Sequence, residues 1–118
     1  MPAMLTIRAA QMAVLSDLAD RSFEDWIAAH VKKFYPAEYE ALGHAGLRDI
    51  IRYGRRRASQ HAFKARRDVC KYIDLMIVLG IDFDTDVRWA AEILARRGDR
   101  SATMRALFAA ASRHLKEQ

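Results

Sequence analysis

The sequence predicts an all-α protein: a single compact, bundle-like domain of five to six helices around a buried central helix. Three observations carry that expectation. Gly (5) and Pro (2) are scarce among 118 residues, while Ala, Leu and Arg, all good helix formers, are abundant. Apolar residues recur at three- and four-residue steps along most of the chain, which is the period of a helix face. The apolar fraction of 52% can fill one core, and a chain this long has room for one domain, 1–118, and little else.

Residues 7–35 read as one long helix or two nearly continuous ones, with Met12, Leu15, Phe23, Trp26, Ile27, His30 and Phe34 on one stripe. Arg21 and Ser22 mark a possible break. Pro36 cannot continue that helix but suits the first turn of another, 36–42, which Gly43 closes. A third helix over about 44–60 places Leu47, Ile50, Ile51, Gly54 and Ala58 on one face and Arg48, Arg52, Arg55 and Arg56 opposite. The pattern is interrupted at 61–64. A fourth helix, about 66–79, turns Val69, Cys70, Ile73 and Met76 inward and Arg67, Lys71 and Asp74 outward. Its last turn, Leu75 to Leu79, is apolar all round and so is expected to be enclosed on every side. This is the expected centre of the fold. After a connection over 81–85, Thr85 or Asp86 is expected to cap a helix over 87–97, ended by Gly98, and Ser101 to cap a last helix over about 102–115.

Charge is unevenly spread. The net charge is +5. Residues 1–43 sum to −2, 74–118 to zero, and 44–73 hold nine basic against two acidic side chains. A partner with an acidic surface fits that middle segment, with Arg52, Arg55 and Arg56 as the expected partner-binding residues. Nucleic acid is the weaker alternative. Consecutive Arg55, Arg56 and Arg57 point about 100° apart on a helix, so they cannot all face one groove, and no Asn or Gln accompanies them on a recognition helix.

No catalytic, cofactor or metal site is expected. Cys70 is the only cysteine, which rules out a disulfide within the chain and any several-thiolate zinc centre. His30, His44, His61 and His114 are never three or four residues apart, so no two of them make a helical metal pair. His30 reads as a hydrogen-bonded core residue and Cys70 as a buried structural thiol. The alternating acids Asp82, Asp84 and Asp86 hint at a calcium loop, but Val87 stands where its Gly is needed and Ile93 where its Glu is needed. Their expected role is at a helix start. Trp26 and Trp89 are candidate anchors, with core placement favoured. Lacking a signal peptide or a spanning apolar run, the chain is expected to be cytoplasmic, without membrane contact.

The stretch RDVCKYIDLMIVLGIDFDTD over 67–86, with Ile7-Arg8, Gln11-Met12, Arg52-Tyr53-Gly54 and WAAEIL over 89–94, resembles a group of small helical proteins encoded in bacterial type VI secretion effector clusters. The resemblance implies an accessory role as a co-chaperone or adaptor, with the effector or its loading chaperone as protein partner. It supplies no catalytic residues. A nucleic-acid-binding regulator using the 44–73 segment, and a toxin-neutralising immunity protein, are the alternatives.

Overall fold

Proline and glycine set the helix boundaries near the start of the fold. In the computed structural model, which describes residues 19–117, α1 occupies 19–34. It stops at Tyr35, whose backbone (φ −134°, ψ 60°) is pushed out of the helical region by the ring of Pro36. Pro36 then opens α2, Pro36–Gln60, in the first turn, where its missing N–H is no loss. Gly43 (φ 71°, ψ 174°) breaks α2 into 36–42 and 44–60, so the expected two helices are present with a kink between them. No break occurs at Arg21 and Ser22. Met12 and Leu15, with the rest of the expected first helix before residue 19, lie outside the described residues.

The end of α2 is a Schellman closure. Phe63 N–H donates to Ala58 O and Ala62 N–H to Ser59 O, both at 2.9 Å, with Ala62 in the left-handed region (φ 65°). Phe63 and Ala58 are both buried, which supplies the apolar contact that accompanies this motif.

The remaining helices are α3, Arg66–Leu79; α4, Phe83–Asp86; α5, Arg88–Leu94; and α6, Arg100–Lys116. Helix α3 lies at the centre, packed against α2, α4 and α6. Tyr72, Ile73, Leu75 and Met76 are almost completely enclosed, among Ile27 and Val31 of α1, Ile51 of α2 and Leu107 of α6. Gly54 sets the α2–α3 approach. A Cβ there would sit 2.6 Å from Ile73 Cγ1 and 2.8 Å from Met76 Sδ, so only glycine fits.

Several expectations are corrected. The last turn of α3 is not enclosed: Val78 is 38% exposed and Ile77 and Leu79 are half-buried. Asp74 faces inward and is buried. The connection after Gly80 contains the one-turn α4. Val87 occupies the N-cap of α5 and makes no side-chain cap bond, so neither Thr85 nor Asp86 caps it. Asp99 rather than Ser101 caps α6, its carboxylate accepting from Ser101 N–H at 3.2 Å. The stripe of α1 divides into two lines: Phe23, Ile27 and Val31 are buried, while Trp26 is 54% exposed. Among the described residues there is no strand, and no helix is long and apolar enough to cross a membrane.

Candidate functional site

The acidic N-terminal part and the basic middle segment answer one another. Arg48 pairs with Asp25, Arg52 with Glu24 (3.3 Å), and Arg55 with Asp20 (3.0 Å) and Glu24 (4.0 Å). The Arg55 guanidinium also lies 5.5 Å from the centre of the Phe23 ring. The arginine face of α2 therefore finds its first acidic surface on α1. With Arg57 bound to Asp84, four of the nine cations in 44–73 form ion pairs with carboxylates of the described residues.

What remains exposed is a groove. Its apolar end has a volume of about 310 Å³ and runs between α2 and the end of α3, lined by Leu42, Ile50, Met76, Ile77 and Ile81. Ile50 and Ile81 also line the next stretch, with Tyr53, Arg52 and Arg56. Arg52 and Arg56 continue into a basic end with Arg55, Ser59 and Gln60. The expected partner-binding arginines thus stand together along one wall. Arg52 and Arg55 keep their intramolecular pairs, while Arg56 is exposed and has no ion pair among the described residues. Ile81 is 47% exposed. An open, two-toned strip of this kind suits an elongated guest better than a compact small molecule, whose sites are concave and bury most of the ligand.

Behind the groove is a polar cluster around Asp84, whose side chain is fully buried. Its Oδ2 accepts from Arg57 Nη2 and from His61 Nε2 at 2.8 Å. A carboxylate only accepts, so Nε2 of His61 carries the proton. Burial alone would raise the Asp84 carboxyl, but the bonds from His61 and Arg57 outweigh it and hold it below the usual range. The Tyr72 hydroxyl is buried without a hydrogen-bond partner; burial, then the Asp84 charge, keeps its proton on. Tyr53 donates to Asp82. Asp82 and Asp84 thus fasten α2 to the start of α4, and none of the acids of the 82–86 run caps α5. These contacts clamp α2 and the turn after it to the start of α4.

A second cluster joins α1 to α3. His30 Nε2 lies 2.9 and 3.1 Å from the two carboxylate oxygens of Asp74, and Cys70, one turn earlier on α3, completes a group whose ligand atoms all lie within 4.8 Å of one another. Burial pushes the Cys70 thiol up to about 12, with the Asp74 charge adding to it. Burial likewise raises the Asp74 carboxyl, against the attraction of His30. His30 is hydrogen-bonded and half-buried, close to expectation, and Cys70 is a buried thiol as expected. Histidine spacing along the chain gave no sign of this group, because its members come from two helices.

Comparison with family models, curated proteins and solved structures returns no match. The functional reading therefore rests on the surface itself. Outside the groove, Lys64, Arg67, Arg96 and Arg97 are exposed and lack ion pairs among the described residues. They flank the loops that Arg100 brings together by stacking 5.1 Å from the centre of the Phe63 ring.

Proposed function

We propose that this chain is a protein-binding accessory factor whose α2–α3 groove receives an amphipathic segment of a partner protein. Apolar side chains of the guest pack on Leu42, Ile50, Ile77 and Ile81, and acidic side chains that follow meet Arg52 and Arg56. The observation that carries this reading is the continuity of an apolar cleft with an arginine-lined one. Hydrophobic contact supplies affinity, at roughly 1.5–3 kcal/mol for each large aliphatic side chain fully buried. The arginines supply register and a fast, salt-sensitive encounter. The resemblance to small proteins of type VI secretion effector clusters gives the biological context: a co-chaperone or adaptor that holds an effector, or the chaperone that loads it.

The test is co-purification with the products of the adjacent genes at low salt, using wild type, Ile81→Asp and Arg56→Glu. A retained partner, lost at least tenfold in both variants, supports the reading. Retention unchanged by either variant overturns it. If the same gene pair rescues a host poisoned by the effector, the role is neutralisation rather than loading.

A second reading, nucleic-acid contact, draws on the unpaired Lys64, Arg67, Arg96 and Arg97. It requires duplex binding that weakens steeply with salt, and a flat low-salt gel-shift titration removes it.

A further inference from the structure

We propose that His30, Cys70 and Asp74 form a binding site for a zinc-class divalent cation, with one nitrogen, one sulfur and one carboxylate oxygen as ligands and a fourth position left for solvent. The three side chains are of the types that bind zinc. Cys70 and Asp74 lie one helical turn apart, so both project from one face of α3. His30 reaches that face from α1, and all three ligand atoms lie within 4.8 Å of one another. Neighbouring ligands on a tetrahedral zinc stand about 3.3–3.8 Å apart, given metal–ligand bonds of about 2.0–2.3 Å. The widest separation, at most 4.8 Å, must therefore shorten by about an ångström to close the site.

The surroundings favour the same occupant. Of the three other buried carboxylates, Glu24 and Asp84 each meet an arginine, and Asp68 accepts a hydrogen bond from the Ser101 hydroxyl at 2.7 Å. Asp74 is hydrogen-bonded to His30, and among the described residues no lysine or arginine forms an ion pair with it, although the Lys71 charge attracts it from further off. A divalent cation held by one thiolate and one carboxylate gives a site of zero net charge, which a buried location tolerates. The imidazole is held by its neighbours, with Trp26 at 6.1 Å and Phe34 at 4.9 Å between ring centroids and Tyr35 meeting it edge-on. About a quarter of the His30 side chain is exposed, which gives the ion a way in and leaves room for a water ligand.

The chemistry of loading is balanced. The thiol proton of Cys70 passes to solvent as sulfur binds the metal. The imidazole binds through Nε2 with its single proton moved to Nδ1. Asp74 exchanges its contact with His30 for one with the cation. No oxidation or bond cleavage is involved.

The test titrates the whole chain, freed of metal by a chelator, with Zn²⁺ by calorimetry and with Co²⁺ by absorption. The site predicts one equivalent bound with at least micromolar affinity. Co²⁺ should give a thiolate-to-cobalt charge-transfer band. Cys70→Ser should abolish that band, and His30→Gln and Asp74→Asn should each weaken Zn²⁺ binding about a hundredfold or more. Circular dichroism checks that the variants fold; if one does not, the cobalt band of the wild type decides alone. Absence of the band, or one-to-one Zn²⁺ binding that survives both His30→Gln and Cys70→Ser in folded protein, overturns the proposal. Loss of the groove interaction would leave this result untouched.

Discussion

Asp84→Leu removes the one carboxylate on which the α2–α4 clamp depends. The native side chain is fully buried, whereas those of Arg57 and His61 are each 26% exposed. Losing the partner of a buried ion pair costs about 3–5 kcal/mol, because the remaining charge is left uncompensated. Here Arg57 and His61 can turn partly to water, so we place the loss at the lower end, about 3 kcal/mol. At about 4 °C for each kcal/mol in a chain of this length, the midpoint should fall by about 12 °C. Adding Arg57→Met removes the stranded cation, and the double variant should recover at least half the loss, since apolar replacement of both partners is often close to neutral. Thermal and urea unfolding followed by far-ultraviolet circular dichroism measure both. A single-variant loss below about 1 kcal/mol, or a double variant as unstable as the two single changes added together, would refute the clamp.

Four further outcomes follow from the same geometry. The Asp84 carboxyl is held below its unfolded value, so its contribution is fully present above about pH 3.9 and is lost as pH falls through the lower folded value; in Asp84→Leu that part of the acid sensitivity should disappear from unfolding curves. Gly54→Val forces a side chain into Ile73 and Met76 and should cost about 1–3 kcal/mol or more by urea unfolding. Ala62→Gly relieves a left-handed alanine and should stabilise the fold by about 1 kcal/mol. Cys70, with its thiol pushed up to about 12 by burial and Asp74, should resist a disulfide reagent at neutral pH in the native protein and react at once in denaturant.

The helices were legible because their causes are local. Pro36, Gly43 and Gly80 punctuate the chain, and the spacing of Leu47, Ile51, Gly54 and Ala58 marks a buried face that the structure confirms. The inward face of α3 was legible for the same reason. Its exposed last turn was not. An apolar helix end looks alike in sequence whether other helices or a groove surround it; here Ile77 lines the groove and Val78 is exposed. Trp26 was misplaced because a one-residue shift along α1 separates the buried line from the exposed one. The segmental charges were visible, but a sum over residues does not say where the opposite charge lies; Asp20, Glu24 and Asp25 answer Arg55, Arg52 and Arg48 from within the chain. His30 and Asp74 stand 44 positions apart, so only the packing of α1 on α3 brings that pair together with Cys70.

Backbone amide shifts of the isotope-labelled protein, recorded as the partner protein retained in the co-purification is added, address the groove most directly. We predict perturbations at Leu42, Ile50, Arg52, Arg56, Ile77 and Ile81, fading with salt at the arginine end first. Shifts confined to α6, or to the loops bearing Lys64 and Arg97, would contradict this assignment.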